Sequence, residues 1–250
     1  MIPQLRIAFP RGVTSIHQIE LTSRCNLRCV YCPSRDIADG KYPQRASLDM
    51  APEHFEAALR WVAHFVKQKT QHELNLAGIG ESTLHPQFIN YLRLAREVVG
   101  EDVRIIFATN GLECSDTLAR TMTSYRPEVW VSLHRPEKAG LAIEIYRRHG
   151  LLGGVSIDPS VNANDWAGQV KWHNCTHNNT LCPWIREGRV MVMADGRVTT
   201  CCLDASGAGV VGHITDPIIP DQFQTRPYDL CRTCNQVIGV TGYDQRKATT

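Results

Sequence analysis

The strongest restriction on the fold of this 250-residue chain is a regular alternation of strand-like and helix-like segments. Five apolar strands are predicted, with an amphipathic helix after each of the first four, and this order implies parallel strands joined by right-handed crossovers. A closed barrel of this kind takes eight strands in roughly 250 residues, whereas the alternation here spans only about 160. The pattern therefore predicts an α/β fold with a partial, open parallel β/α TIM-like barrel. The predicted strands are Ile16–Leu21, His72–Ala77, Val103–Ala108, Glu128–Leu133 and Leu152–Ile157, and the helices are Met50–Val66, Pro86–Val99, Ser115–Thr123 and Pro136–His149.

Polar motifs follow the predicted strands at the points where they end. In parallel barrels, ligand chemistry gathers at the carboxyl ends of the strands. We therefore expect a binding site at this edge of the sheet. The motifs after the second to fifth strands are Gly78-Ile79-Gly80-Glu81, Thr109-Asn110-Gly111, Ser132-Leu133-His134 and Asp158-Pro159.

Three cysteines follow the first strand in a C-x3-C-x2-C pattern, at Cys25, Cys29 and Cys32. Three thiolates held this closely bind one metal centre from one side. They cannot complete a four-iron cluster, which takes four protein ligands when the protein alone supplies them. One iron is then left open, and an open coordination position is typical of a reactive site. A zinc site and unrelated buried thiols are the alternatives, although zinc sites favour paired C-x2-C units.

This loop resembles the signature of the radical SAM enzymes, including the aromatic residue before the third cysteine, here Tyr31. The resemblance implies a [4Fe-4S] cluster on the three cysteines, with S-adenosylmethionine (SAM) on the fourth iron and a barrel of five to six strands. Reductive cleavage of SAM then gives a 5'-deoxyadenosyl radical, which abstracts a substrate hydrogen.

The same resemblance implies SAM-binding roles for several strand-end residues. A glycine loop with Glu, here Gly78, Gly80 and Glu81, binds the amino group of SAM, although Ser82 replaces the usual Pro. Asn110 and Ser132 are further expected cofactor contacts, with a tight turn as the alternative for Asn110.

His134 stands where the family often has Asp, which predicts either a changed ribose contact or a titratable group for the substrate. Arg135 and Asp158 are further catalytic candidates. Arg135 would bind an anionic group or act electrostatically. All three are equally compatible with ordinary loop or capping roles.

A second cysteine set, Cys182-x13-Gly196-x4-Cys201 followed by Cys231-x2-Cys234, resembles the Twitch domain, the short form of the SPASM domain. The resemblance implies one auxiliary [4Fe-4S] cluster with four protein ligands. A zinc ribbon is the alternative. Cys202 is adjacent to Cys201 on a predicted strand, so both cannot easily face one cluster. Cys175 is a further candidate that would replace one of the assigned ligands.

The predicted organisation is a partial barrel at 1–160, a linker at 161–181 and a small α+β Twitch-type domain at 182–250. The last domain begins with a β-hairpin, Arg189–Ala194 and Arg197–Cys202, around the turn Asp195-Gly196. Within the barrel, Ser34–Leu48 is predicted to be irregular.

Composition limits the partners and the location. The net charge of +2 gives no electrostatic case for nucleic acid or a membrane surface. No apolar run approaches transmembrane length, and no signal peptide is recognisable. Ten cysteines without such a signal favour metal binding in the cytoplasm. The oligomeric state is not predictable from the sequence.

The expected function is that of a radical SAM oxidoreductase that oxidises a small molecule by two electrons, with the auxiliary cluster as electron acceptor. The layout is most similar to that of dehydrogenases that oxidise an aminocyclitol alcohol. An electron donor such as flavodoxin or ferredoxin is implied. The alternatives are radical SAM modification of a ribosomally made peptide, against which the short N-terminal segment argues mildly, and a non-catalytic zinc-binding module.

Overall fold

A computed structural model describes residues 12–156, 166–170, 182–216, 228–232 and 234. In this part of the chain, eight strands form one open sheet, in the order β5-β4-β3-β2-β1-β6-β7-β8. The strands are β1 (Ser15–Ile19), β2 (Glu73–Asn75), β3 (Arg104–Thr109), β4 (Glu128–Ser132), β5 (Leu152–Ser156), β6 (Arg189–Val192), β7 (Arg197–Thr199) and β8 (Val210–His213).

The helices of the alternating region are those expected from the sequence, within a few residues at each end. Among the described residues, no helix combines the length and the apolar character that crossing a membrane requires. Short 3-10 helices occur at Ser82–Leu84, Thr123–Tyr125 and Asp229–Arg232. The α-helices are α1 (Pro33–Ala38), α2 (Pro52–Lys67), α3 (Phe88–Val99), α4 (Asp116–Met122), α5 (Pro136–Arg148) and α6 (Pro183–Arg186).

Helix α1 corrects the prediction of an irregular stretch from Ser34 to Leu48. It starts directly after Cys32, with Pro33 at its first position. Proline is favoured there because its missing N–H needs no partner in the first helical turn. The helix therefore continues from the last cysteine of the first cysteine loop.

Strands β1 to β5 pair in parallel, as the strand–helix alternation predicts. Strand β6 adds a sixth parallel strand on the other side of β1, with Ile16 opposite Val190 and Ile19 opposite Val192. The edges of the sheet are β5 and β8, so the barrel is open. The expected partial barrel of five to six strands is thereby confirmed.

The pairing of β6 with β1 was not expected, because the sequence analysis placed Arg189–Ala194 only in the hairpin of a separate domain. The hairpin exists, with β6 and β7 antiparallel. Val190, Met191 and Val192 are nevertheless all buried, which is typical of a strand inside a parallel sheet. The sheet thus continues across residue 182, and the proposed domain boundaries remain a prediction; the linker at 161–181 is described only at 166–170.

The hydrophobic core lies between the sheet and helices α2 to α5. The rings of Phe55 on α2 and Tyr91 on α3 stack with centroids 4.0 Å apart, and Phe88 meets Phe107 of β3 edge to face at 5.1 Å. Such aromatic pairs add about 0.5–1.5 kcal/mol beyond their buried area. The core fixes the strands whose carboxyl ends carry the polar motifs.

Candidate active site

A cavity of about 310 Å³ lies at the carboxyl ends of the parallel strands. Its volume falls within the range of small-molecule sites. The structure brings together here every first-site cysteine and every cofactor-binding residue expected from the sequence. These lining residues are Cys25, Cys29, Tyr31, Cys32, Gly78, Gly80, Glu81, Asn110, Ser132 and His134.

The two remaining catalytic candidates are not part of this lining. Arg135 is exposed and occupies the N-cap position of α5. Asp158 lies outside the described residues. Trp166, which the sequence analysis did not select, lines the cavity instead.

The first cysteine loop runs from the end of β1 to α1, most of whose residues are buried. Within it, the Cys32 N–H donates to the Cys29 carbonyl at 3.1 Å, and the Leu27 N–H lies 3.4 Å from the Cys25 Sγ. Burial raises the pKa of the Cys25 thiol, and it raises the pKa of Cys32 to about 12. Binding a metal at these thiols must therefore displace protons.

The donor set fits an iron–sulfur cluster in its chemistry and position. Among the described residues, no three Cys, His, Asp or Glu side chains converge closely enough to hold a single metal ion. A cluster does not need that convergence, because each thiolate binds a different iron. The three thiols instead surround one cavity that has room for a second ligand.

The glycine loop packs directly on the first cysteine loop. A Cβ atom on Gly80 would lie 2.2 Å from the Thr22 carbonyl oxygen, and one on Gly78 would lie 2.4 Å from the Cγ of Glu20. The Glu81 N–H also donates to the Arg24 carbonyl at 2.8 Å. The glycines are therefore required for the close approach of two loops, whatever else they bind.

Glu81 is a buried carboxylate in the cavity wall. Its oxygens accept hydrogen bonds from the hydroxyls of Thr83 and Thr109, at 2.7 and 2.8 Å, and from the Asn110 N–H at 2.7 Å. Burial raises the pKa of Glu81, and these hydrogen bonds oppose the rise. No Lys, Arg or His of the described chain forms an ion pair with it, so the site suits a cationic ligand group such as an ammonium.

Tyr31 and His134 form a hydrogen-bonded pair on the cavity wall. The Tyr31 hydroxyl lies 2.9 Å from the His134 Nδ1, and their ring centroids are 5.6 Å apart. The Trp166 Nε1–H donates to the Tyr31 carbonyl at 3.1 Å. Three segments of the chain thus fix the position of the His134 imidazole.

Glu20 is a central residue that sequence reasoning missed. It follows β1, and its side chain is fully buried beside the Arg45 guanidinium, whose Nη2 lies 3.0 and 2.9 Å from the two carboxylate oxygens. The same carboxylate accepts the N–H groups of Ile79 at 3.1 Å and Ala194 at 3.0 Å. A charged residue within the predicted strand Ile16–Leu21 was the available signal.

The second cysteine set is also brought together. Cys182, Cys231 and Cys234 belong to one apolar cluster with Ile185 and Tyr228. Burial raises the pKa of the Cys231 thiol to about 11. The structure therefore gathers widely separated parts of the sequence around one group of thiols.

Cys201 and Cys202 both lie close enough to Cys182 for their thiols to interact electrostatically. The predicted strand through Cys202 is too long, because β7 ends at Thr199. The argument from side-chain alternation does not apply beyond that point. The assignment of Cys201 as a ligand stays a prediction, and Cys175 lies outside the described residues.

Cys25, Cys29 and Cys32 lie on the barrel itself, at the ends of its strands. This position defines a class: α/β-barrel enzymes whose cysteines hold a reactive metal cofactor. The sequence matches the radical SAM superfamily over residues 19–187, which is more than half of the chain. The chain belongs to this superfamily and is a radical SAM enzyme. Membership implies a [4Fe-4S] cluster and SAM. No curated protein matches the sequence.

Solved structures share the fold at low sequence identity. BtrN in complex with AdoMet and 2-DOIA matches with a TM-score of 0.68 and 18% identity, over 89% of this chain and 87% of that chain. Polyhistidine-tagged anSMEcpe with bound AdoMet matches with a TM-score of 0.59 and 15% identity, over 89% of this chain and 82% of that chain. At such identities the matches establish the architecture.

Proposed function

We propose that this radical SAM enzyme oxidises a small-molecule alcohol by two electrons. In this proposal Cys25, Cys29 and Cys32 hold the SAM-binding cluster. A second, auxiliary [4Fe-4S] cluster is held by Cys182, Cys201, Cys231 and Cys234. The observation that supports the proposal is that Cys182, Cys231 and Cys234 pack in one cluster, with Cys201 close enough to Cys182 for their thiols to interact electrostatically.

When bound, the first cluster and SAM supply a 5'-deoxyadenosyl radical. The chain's own residues orient the SAM. Glu81 is the counter-charge for its ammonium, and Gly78 and Gly80 let the backbone approach it. The remaining lining residues expected from the family resemblance, Tyr31, Asn110, Ser132 and His134, are assigned to the rest of the cofactor or to the substrate.

Packing between the first site and the loop that follows Cys201 supports electron transfer between the two sites. Ala205, four residues after Cys201, packs in one apolar cluster with Ile79 and Cys32 of the first site. The segment at Trp166 and Gln169 also contacts the loop after Cys201, because the Gln169 Nε2 donates to the Leu203 carbonyl at 2.7 Å. A short protein path thus joins the cavity to the second cysteine set.

His134 is the proposed proton acceptor. Among the described titratable groups that line the cavity, three thiols are assigned to iron, and both oxygens of Glu81 already accept hydrogen bonds. A phenol such as Tyr31 has an ordinary pKa near 10, whereas an imidazole has one near 6.5. The contact of the Tyr31 hydroxyl with the His134 Nδ1 orients the imidazole ring, and the His134 Nε2 is assigned to the substrate.

The proposed reaction balances. The alcohol carbon would give a hydrogen atom to the 5'-deoxyadenosyl radical, and its hydroxyl would give a proton to His134. An auxiliary cluster held by Cys182, Cys201, Cys231 and Cys234 would take up the remaining electron, which leaves a carbonyl. Arg135 and Asp158 stay candidates for substrate contacts. A cytoplasmic flavodoxin or ferredoxin is the proposed electron donor for the first cluster.

The test is anaerobic reconstitution followed by metal and product analysis. The protein should bind about eight irons, and replacing either cysteine set by Ala should remove about four. About four irons in the unaltered protein would contradict the auxiliary cluster, and zinc in place of iron at both cysteine sets would contradict the proposal as a whole.

The substrate class is tested with 2-deoxy-scyllo-inosamine that carries deuterium on its carbinol carbons. We chose it because BtrN, a 2-deoxy-scyllo-inosamine dehydrogenase, shares the fold. Deuterium in 5'-deoxyadenosine, with formation of the ketone, is the expected result. SAM cleavage without transfer from this probe would exclude this aminocyclitol as substrate.

Peptide modification is the second candidate. It is favoured by the fold match to native anSMEcpe with bound AdoMet and the Cp18Cys peptide, at a TM-score of 0.56 and 14% identity, over 89% of this chain and 82% of that chain. Deuterium transfer from a labelled Cys- or Ser-containing peptide, and not from the aminocyclitol, would favour this alternative.

A further inference from the structure

We propose that the Tyr228 hydroxyl donates a hydrogen bond to the Cys201 sulfur of the auxiliary cluster and thereby raises the reduction potential of that cluster. This inference rests on the proposed auxiliary cluster and names a residue outside its cysteine set. It assigns a role to a buried hydroxyl that neither the family match nor the fold matches account for.

The starting observation is an unsatisfied polar atom. The Tyr228 hydroxyl is buried and makes no regular hydrogen bond within the described part of the chain, although the Cys201 thiol lies within reach of it. A buried hydroxyl without a partner is costly. Thr200 Oγ1, one residue before Cys201, is unsatisfied in the same way. The Tyr228 hydroxyl therefore needs an acceptor at the group of cysteines against which its ring packs.

The surroundings of Tyr228 fix the direction of its hydroxyl. The ring packs in the apolar cluster with Cys182, Cys231 and Cys234. Its tip lies against Gly209, where a Cβ atom would be 2.4 Å from the ring Cζ. The hydroxyl is also close enough to the Cys201 thiol for each group to affect the other electrostatically.

The protonation state of Tyr228 makes it a donor. A phenol with its ordinary pKa near 10 keeps its proton at neutral pH and has one O–H group to donate.

The backbone supports Cys201 as the receiving sulfur. The Leu203 N–H lies 3.3 Å from the Cys201 Sγ, two residues further along the chain. The first site has the same arrangement, with the Leu27 N–H 3.4 Å from the Cys25 Sγ. Hydrogen bonds to cluster sulfurs raise the potential, because they stabilise the more negative, reduced state. A raised potential suits a cluster that accepts an electron.

The loop around Gly209 holds this arrangement in place. The Asp204 carboxylate accepts the Thr199 hydroxyl at 2.8 Å and the N–H groups of Gly207, Ala208 and Gly209 at 2.8, 2.9 and 2.7 Å. The loop therefore cannot easily retreat from the Tyr228 ring.

The test isolates the auxiliary cluster in full-length protein with Cys25, Cys29 and Cys32 replaced by Ala, after anaerobic reconstitution. Tyr228→Phe is added to this background and keeps the packing of the ring. An electron paramagnetic resonance redox titration then measures the midpoint potential. Tyr125→Phe, on the helical side of the sheet, is the matched control.

The expected result is a lower midpoint for Tyr228→Phe at unchanged iron content. At a potential equal to the midpoint of the parent protein, the ratio of reduced to oxidised cluster in Tyr228→Phe should be about three- to tenfold lower. A tenfold change corresponds to a midpoint shift of about 59 mV for one electron. Gly209→Ala, which displaces the ring but keeps the hydroxyl, should lower the midpoint in the same direction. The Tyr125→Phe control should not change it.

Two outcomes would overturn the inference, and they are distinguishable. If the parent protein without the first cysteines binds no iron, the auxiliary cluster itself is absent and the proposed function fails too. If Tyr228→Phe binds a full cluster with an unchanged midpoint and resonance, only the role of Tyr228 is refuted.

Discussion

Replacing Arg45 by Met should destabilise the protein by about 3–5 kcal/mol, which is the usual cost of breaking a buried ion pair from one side. The side chains of Arg45 and Glu20 are 2% and 0% exposed. Without the guanidinium, the Glu20 carboxylate stays buried with only the N–H groups of Ile79 and Ala194 as partners. Methionine keeps much of the volume of Arg, so the loss reports the charge.

The assay is urea and thermal unfolding of the reconstituted protein under anaerobic conditions, followed by far-UV circular dichroism. For a chain of this size, the expected loss corresponds to a fall in Tm of roughly 6–20 °C. Adding Glu20→Gln to Arg45→Met should regain part of the stability, because it removes the uncompensated charge.

The matched control is Arg93→Met. Arg93 pairs with Glu97 one helical turn away on α3, but their side chains are 41% and 56% exposed. Such a surface pair contributes about 0.3–0.5 kcal/mol. A loss for Arg45→Met as small as that of this control would refute the reasoning that Glu20 depends on a buried counter-charge.

Three further predictions concern pH, loop contact and helix capping. Burial, and then the charge of Arg189, lowers the pKa of His17 from 6.5 to about 4 against the opposing effect of Glu187. As the pH falls, His17 therefore takes up a proton in the unfolded chain before it does so in the folded protein. The free energy of unfolding should fall by roughly 2 kcal/mol from pH 7 to pH 5. Denaturation measured at both pH values should show that His17→Gln removes this loss. Gly80→Ala should lower the free energy of unfolding by about 1–3 kcal/mol, because the new Cβ atom would overlap a backbone oxygen. Calorimetry should also show weaker SAM binding. The control, Gly140→Ala on the open side of α5, should be neutral or stabilising. Ser115→Ala should cost about 1 kcal/mol in the same unfolding assay, because the Ser115 hydroxyl caps α4 by accepting the Leu118 N–H at 3.1 Å; an unchanged stability would show that water replaces this cap.

Much of the barrel was predictable because its signals are local. Each strand from β1 to β5 and each helix from α2 to α5 has its own apolar periodicity, and each polar motif lies in sequence next to the strand that carries it. The carboxyl ends of parallel strands meet at one edge, so those motifs had to converge. This is why the expected cofactor residues line one cavity.

The features that sequence reasoning missed depend on partners far apart in the chain. The turn Asp195-Gly196 indicates that β6 pairs with β7, but no local pattern shows that β6 also pairs with β1, near the other end of the described chain. The partners of Glu20 also lie well apart from it in sequence, at 25 residues for Arg45 and 174 residues for Ala194. By contrast, α1 had a local signal in Pro33, directly after the last cysteine, and was missed because the polar residues around it resemble a loop.

Glu20 gives a physical reason why the first cysteine loop and the β6–β7 hairpin meet at one edge of the sheet. Removing one partner of a buried ion pair is strongly destabilising, so the pair favours the arrangement that satisfies it. Here that arrangement requires the segment at Arg45, the glycine loop at Ile79 and the hairpin at Ala194 to meet directly after β1. The glycine loop borders the first cavity, and the hairpin leads to Cys201. These hydrogen bonds favour the observed register of β6 on β1, and that register sets the position of the hairpin relative to the first cavity.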